Sequence, residues 1–169
     1  MIHCYTDYPL LARNTFGMDV RAKTFIEYDT VDELRRILAG RRAAHASDPL
    51  LHIGGGSNLL FGGDFGGTVL HSLVRDVEVT GEDAAHVWLK AGAGVVWDEF
   101  VARCVACGWG GAENLSGIPG EVGASAVQNI GAYGVEVKDI LTEVEAVEVA
   151  TGEVITIPAG DCRYAYRRS

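Results

Sequence analysis

ENLSGIPGEVGASAVQNIGAYG, residues 113–134, spaces five glycines through 22 residues and carries only two charges. Such a run is too rich in glycine for a stable helix and too uncharged for an ordinary solvated loop. Its Pro119-Gly120 pair predicts a turn, and small residues at 123–126 allow a close approach by another group. Two readings remain open for this segment, a ligand-binding strip and a structural Ω-loop.

A second glycine segment, IGGGSNLLF at residues 53–61, directly follows the predicted apolar strand LLHI. A buried strand that ends in consecutive glycines frees N–H groups and permits positive φ, so the backbone can form an anion-binding nest. The segment is not a dinucleotide fingerprint, because Leu59 stands at the third glycine position and no helix is predicted after it. A phosphate-binding P-loop is excluded because the chain contains no Gly-Lys pair. A tight turn between strands and a ligand loop are equally supported here.

Two glycine-lined strips in different parts of the chain suit a long ligand with a pyrophosphate in its middle. In the longer strip, Gln128 and Asn129 offer donors and acceptors without charge, as a flat heterocycle such as a flavin requires. The last residues, DCRYAYRRS, contain adjacent arginines that suit a carboxylate or phosphate, although a solvated strand end is the commoner case.

The composition excludes several classes of partner. The chain of 169 residues has a formal net charge of −9 and a pI near 4.9, which disfavours nucleic acid and anionic membranes. No apolar run has membrane-spanning length, so we expect a cytoplasmic protein with reduced cysteines. Cys104 and Cys107 are predicted to pack on one helix face rather than to bind zinc, and the scattered histidines predict no metal site. His52 and His71 fall in apolar strands and are predicted to be core residues.

The pattern of segments predicts an α+β protein with two lobes, residues 1–75 and 76–169. A helix is expected from TVDELRRILAG, with Thr30 and Glu33 in capping-box spacing and Val31 on its apolar face. Hairpins are expected around Gly81 and around ATGE at 150–153, and a helix over about residues 95–108. We predict no protein partner from these features.

Four segments together resemble one family: NTFG at 14–17, GGGSNLLF at 54–61, ENLSGIPGEVGASAVQNIGAYGVE at 113–136 and CRYAYRRS at 162–169. In order and spacing they are similar to the UDP-N-acetylenolpyruvoylglucosamine reductases, also called UDP-N-acetylmuramate dehydrogenases. Each segment alone is weak, but the combination covers the whole chain and is specific.

The resemblance implies the two-lobed FAD-binding fold shared with vanillyl-alcohol oxidase and p-cresol methylhydroxylase. It also implies an oxidoreductase that binds FAD non-covalently, takes hydride from NADPH and reduces the enolpyruvyl group of a UDP-sugar. The product, UDP-N-acetylmuramate, feeds bacterial peptidoglycan synthesis, and hence cell wall biogenesis, cell shape and cell division.

The resemblance also assigns roles to residues. Arg167 is the expected catalytic residue, because a fixed guanidinium stabilises the negative charge that hydride addition sends into the enolpyruvyl carboxylate. Tyr166, Gln128 and Tyr133 are expected at the substrate. The residues expected to bind FAD are Gly54, Gly55, Gly56, Ser57, Asn58, Leu59, Ser116, Ile118, Pro119, Gly120, Gly123, Ala124 and Asn129.

Members of the family continue into a C-terminal substrate-binding domain, which carries a proton-donating serine and a glutamate. We therefore expect this chain to be a truncated FAD-binding part that is inactive alone. Two alternatives stay open: another FAD-linked oxidase or dehydrogenase of the same fold, and a non-catalytic flavin-binding module.

Overall fold

The computed structural model of the protein describes residues 1–44, 46–165 and 169, with mixed helix and strand content. The helices and strands, in chain order, are β1 (His3–Pro9), β2 (Arg21–Tyr28), α1 (Val31–Ala43), β3 (Leu50–Ile53), β4 (Phe65–Ser72), β5 (Val77–Glu82), β6 (Val87–Ala91), α2 (Trp97–Ala106), α3 (Val122–Ser125), β7 (Gly131–Ala132), β8 (Val135–Glu136), β9 (Glu143–Val147) and β10 (Val154–Pro158). The chain divides into two compact units. The first unit is Met1–Val74 with Val147–Val154, and the second is Arg75–Ala146 with Ile155–Ser169.

The first unit contains a four-stranded sheet in the order β1-β2-β4-β3. β1 pairs antiparallel with β2, whereas β2 and β3 both run parallel to β4. β4 is buried from Gly67 onward because it has a strand on each side, as expected for a central parallel strand. The core of this unit consists of Leu10, Val20, Ala22, Phe25, Ile53, Phe61 and Val69. Strands β1 and β2 were not predicted from the sequence.

Helix α1 begins where its sequence predicts. The Thr30 side chain accepts a hydrogen bond from the Glu33 N–H at 3.2 Å, which confirms the predicted N-cap. The reciprocal half of the capping box is different, because the Glu33 carboxylate accepts from the Asp29 N–H instead. Val31 was predicted on the apolar face, but it is exposed. In this first turn of the helix Glu33 is the buried residue, and it bonds to the Asp29 N–H.

The second unit begins with the β5–β6 hairpin. Its turn lies at residues 83–86, where Asp83 Oδ1 accepts from the N–H groups of Ala85 and His86. The turn predicted near Gly81 was therefore wrong: Gly81 pairs with Trp88 beside a register shift within the ladder. Helix α2 confirms the predicted helix, and β9 and β10 confirm the predicted second hairpin. The core of this unit is Trp97, Val101, Ala112, Leu115, Ile130 and Val137.

Four side chains test the predictions about histidine and cysteine. His71 is buried and bonds to Glu27, as predicted for a core histidine. His52 is exposed, so that prediction was wrong; its ring bonds to the Tyr28 hydroxyl at 2.8 Å. Cys104 is buried, but Cys107 is exposed because α2 ends at Ala106. Across the described parts of the chain, the helices are all too short or too polar to cross a membrane.

Candidate functional site

The first glycine loop, residues 54–59, follows β3 and rests on the NTFG segment at 14–17. Thr15 makes both contacts: its N–H donates to the Gly56 carbonyl at 3.2 Å, and its hydroxyl donates to the Ser57 carbonyl at 3.3 Å. Asn14 closes the turn beneath, donating to the Leu10 and Met18 carbonyls and accepting from the Met18 N–H. The NTFG segment and the first glycine loop lie about 40 residues apart in the sequence. In the first unit they are hydrogen-bonded to each other.

Gly56 is required at its position by the protein itself. Its φ is +67°, and a Cβ built there would lie 2.0 Å from the Arg13 carbonyl oxygen. Arg13 is in turn held by the buried Glu27 carboxylate at 2.8 Å, and the same carboxylate oxygen bonds to His71 at 2.9 Å. The glycine therefore allows the loop to approach an anchored backbone. The contact with Arg13 explains why residue 56 is glycine, and no contact with a ligand is needed for that explanation.

The first glycine loop still offers hydrogen-bond donors. Within the described residues, the backbone N–H groups of Gly55 and Gly56 take part in no hydrogen bond. Leu59 packs against the core of the unit and fixes the end of the loop. Neutral N–H donors of this kind bind anionic oxygens without a positive side chain, which suits a protein of net charge −9.

The second glycine loop, residues 115–124, lies along a supporting segment, residues 93–98, at the start of α2. Six hydrogen bonds join them, two of which are accepted by the Asp98 side chain and four of which involve Trp97 or backbone groups. Trp97 donates through its indole to the Leu115 carbonyl at 2.9 Å and through its N–H to the Gly120 carbonyl at 3.0 Å. The N–H groups of Val122 and Gly123 donate to Val95 and Ala93 carbonyls at 2.9 and 3.0 Å. Most of this loop is therefore fixed by backbone partners in its own unit.

Gly123 lies where the loop and the supporting segment are closest. A Cβ on it would be 2.7 Å from the Cβ of Ala93, so only glycine fits. Between the fixed ends, the N–H groups of Ile118 and Gly120 take part in no hydrogen bond among the described residues. The loop thus presents two neutral donors beside Pro119, which has none of its own.

Ser116 does not offer its hydroxyl proton to a ligand. Its Oγ donates to Asp98 Oδ1 at 2.8 Å, and the Gly117 N–H donates to the same oxygen at 2.7 Å. These two hydrogen bonds, Gly117 first, hold the pKa of Asp98 below its usual range. Sequence reasoning missed Asp98, because nothing in WDEF distinguishes it from an ordinary acidic residue in the first turn of a helix.

Both polar atoms of the Asn129 side chain make hydrogen bonds within the protein. It is 1% exposed, its Nδ2 donates to the Ala165 carbonyl at 3.3 Å, and its Oδ1 accepts from the Lys138 N–H at 3.2 Å. Its φ of +49° is one that asparagine tolerates better than most residues. The amide therefore ties together three parts of the second unit. Gln128, next to it, is half-buried and also has an interaction partner.

Tyr133 occupies the tip of the β7–β8 hairpin, where it forms a two-residue loop with Gly134. Both residues have positive φ, +50° and +81°, as in a type I′ turn. Asparagine or glycine is the usual first residue of such a turn, and a bulky aromatic residue is rare there. The Tyr133 side chain is 87% exposed, so packing does not account for it.

Tyr166 and Arg167, predicted at the substrate, lie outside the described residues. Two described residues near them in the sequence, Ala165 and Ser169, bond to the 127–129 segment. Asn129 bonds to Ala165, and the Ser169 hydroxyl donates to the Val127 carbonyl at 2.6 Å. Among the described residues, no group of three or more His, Cys, Asp or Glu side chains is arranged to hold a metal ion.

Comparison with known families and sequences agrees with this geometry. The profile of the FAD binding domain family matches residues 22–158. A UDP-N-acetylenolpyruvoylglucosamine reductase of Bacteroides fragilis is 54% identical over 162 residues, which cover 96% of this chain and 48% of that protein. One from Alcanivorax borkumensis is 43% identical over 170 residues, or 99% of this chain and 48% of that protein. These similarities confirm the resemblance that the four motifs predicted.

Solved structures agree on the fold. A UDP-N-acetylenolpyruvylglucosamine reductase from Thermus caldophilus matches all of this chain and 56% of its own, at 25% identity and a TM-score of 0.74. BBE-like 1 of Physcomitrella patens matches 89% of this chain and 33% of its own at 19% identity, with a TM-score of 0.58. A solvent-stable cholesterol oxidase has a TM-score of 0.55 at 12% identity, over 92% of this chain and 32% of its own. The predicted fold, that of the vanillyl-alcohol oxidase type, is confirmed.

Proposed function

Because the chain belongs to the FAD binding domain family, we propose that it binds FAD non-covalently as part of a UDP-N-acetylenolpyruvoylglucosamine reductase. The observation that carries this proposal is the family match over residues 22–158, which includes both glycine loops in full. The chain spans about half the length of the curated relatives it matches. The reaction is accordingly proposed for the whole enzyme and FAD binding for this chain, with residues 1–75 and 76–169 as the two lobes.

The donors available in each unit suit the cofactor. FAD carries a pyrophosphate whose oxygens accept hydrogen bonds, and each glycine loop has N–H groups that make none within the described residues. In a protein of net charge −9, such neutral donors hold phosphate without basic side chains in the loops. Gly54–Leu59 in the first unit and Ser116, Ile118, Pro119, Gly120, Gly123 and Ala124 in the second are the residues we propose for FAD.

The proposed reaction is reduction of an enolpyruvyl UDP-sugar to UDP-N-acetylmuramate, with NADPH as electron donor. When bound, FAD supplies hydride transfer between these two substrates. Arg167 is proposed to bind the enolpyruvyl carboxylate and stabilise the charge that develops on it. Tyr166, Gln128 and Tyr133 are proposed at the substrate, and the exposed, positive-φ Tyr133 supports that role. Asn129 is proposed near the cofactor. The reaction is proposed to belong to peptidoglycan synthesis, and the enzyme is proposed to act in the cytoplasm.

Reconstitution with FAD tests the proposal. The chain, stripped of flavin and mixed with FAD, is expected to show the visible absorption of a bound flavin after gel filtration. Acid precipitation should then release all of it, because the attachment is non-covalent. FMN serves as the control, since it lacks the pyrophosphate and adenosine, and it should bind more weakly.

Other outcomes distinguish the alternatives. A chain that stays colourless with excess FAD would contradict the proposal. Flavin that remains attached after denaturation would favour another oxidase of the same fold. In the intact enzyme, flavin that NADPH reduces but the enolpyruvyl UDP-sugar cannot reoxidise would point to a non-catalytic flavin-binding module or to a different substrate.

A further inference from the structure

We propose that Asp98 is the positioning residue of the second glycine loop and that it determines how the loop meets FAD. The side chain lies in the first turn of α2, and one carboxylate oxygen, Oδ1, accepts two hydrogen bonds. The donors are the Ser116 hydroxyl at 2.8 Å and the Gly117 N–H at 2.7 Å. Neither the motifs nor the family match assigns this residue a role. The inference rests on the proposed binding of FAD by the loop.

The loop needs such an anchor. Gly117 and Gly120 both have positive φ, +76° and +131°, and glycines lose the most backbone freedom when they are ordered. Trp97 bonds to the Leu115 and Gly120 carbonyls, and Asp98 bonds to two of the four residues between them, Ser116 and Gly117. Adjacent residues of one helix thus hold four points of the loop. Hydrogen bonds to a charged acceptor are stronger than those between neutral groups.

Asp98 also determines the polarity that the loop presents. A serine hydroxyl has one proton, and that of Ser116 is donated to Asp98, so only its lone pairs face a ligand. The N–H groups of Ile118 and Gly120 are donors without partners among the described residues. A hydroxyl group of FAD could therefore donate to Ser116 Oγ, and the phosphates of FAD could accept from the N–H groups of Ile118 and Gly120. The negative charge of Asp98 disfavours phosphate at position 116.

Two pairs of variants test this role. Asp98→Ala removes the acceptor, whereas Asp98→Asn keeps an oxygen that can accept from Gly117. Glu99→Ala and Glu99→Gln are the matched controls, because Glu99 is an exposed acid in the same helical turn. Amide hydrogen exchange over residues 115–120 is measured without FAD, and the Kd for FAD is measured by quenching of flavin fluorescence.

We expect faster exchange at residues 115–120 in Asp98→Ala and a Kd for FAD raised on the order of 10- to 100-fold. Asp98→Asn should recover part of both, and the Glu99 variants should match wild type. Ser116→Ala should add little to Asp98→Ala, because the two side chains act through one contact.

Unchanged exchange in both Asp98 variants would overturn the positioning role, whether or not FAD binds. Accelerated exchange with an unaltered Kd would overturn the link to FAD. Equal effects in the Glu99 variants would assign the change to the helix terminus instead and contradict the proposal. If wild type itself binds no FAD, the proposed function fails, while the exchange measurement still decides whether Asp98 holds the loop.

Discussion

At the scale of single residues, Asn129 and Tyr133 adopt the same unusual positive φ in different surroundings. Asn129 and Tyr133 have nearly equal φ, +49° and +50°, yet one is 1% and the other 87% exposed. Asn129 is locked by hydrogen bonds to Ala165 and Lys138, so the fold maintains its conformation. Tyr133 has no comparable support from packing. A costly conformation that packing does not explain is a reason to expect a functional role.

Replacing Tyr133 should therefore separate stability from function. Tyr133→Asn places the preferred residue at the first position of a type I′ turn, so we expect the free energy of unfolding to rise by about 1 kcal/mol. The same change in the intact enzyme should weaken binding of the UDP-sugar. Urea denaturation monitors the first effect and the KM for the UDP-sugar the second. A destabilised Tyr133→Asn would mean that the aromatic ring supports the fold.

A second prediction concerns Gly56. Gly56→Ala should lower the free energy of unfolding by about 1–3 kcal/mol even without FAD, because its Cβ meets the Arg13 carbonyl and its φ is positive. Gly62→Ala is the control: its Cβ would have nothing within 4 Å, and it should be neutral or slightly stabilising. Urea denaturation of the flavin-free chain compares the two. Equal stabilities would instead place the need for glycine at the ligand.

At the scale of elements, the first turn of α2 does more than begin a helix. Trp97 and Asp98 bind the second glycine loop, and Val95 and Ala93 continue the contact toward α3. The loop therefore takes its shape from a helix terminus about 20 residues earlier in the sequence. This dependence makes the loop sensitive to the charge of one carboxylate.

Acid should reveal that sensitivity. The folded pKa of Asp98 lies below its ordinary value of 3.8, so the group stabilises the fold above that pH and loses its contribution as the pH falls through the folded pKa. We expect wild type to be more stable than Asp98→Asn at pH 6, with the difference shrinking below about pH 4. Urea denaturation as a function of pH measures this difference. A difference that is constant with pH would show that the charge is not what matters.

At the scale of the whole molecule, the charge opposes the proposed ligand. The net charge is −9, and FAD brings further negative charge in its pyrophosphate. Binding must then depend on local N–H donors against a repulsive long-range field. The partly buried Arg13–Glu27 ion pair in the first unit joins opposite charges and so leaves that field unchanged.

Salt should accordingly speed the association of FAD. Raising the ionic strength from about 10 to about 150 mM screens the repulsion, so the association rate should increase several-fold. Riboflavin, which is uncharged, is the control and should show no such dependence. Stopped-flow quenching of flavin fluorescence measures both rates. Slower association of FAD at higher salt would indicate a locally positive entrance and contradict this account.

The sequence by itself determined the family through the combination of four motifs, the cofactor class through that resemblance, and most elements through local signals. Consecutive glycines after an apolar strand, the Thr30 cap and the alternation in β9 and β10 all act over a few residues. Only the tertiary structure decided what the glycines and polar residues contact. Gly56 faces the Arg13 carbonyl, Gly123 faces Ala93, and Ser116 is held by Asp98. These partners lie 18 to 43 positions apart in the sequence, and periodicity carries no information about contacts across such distances.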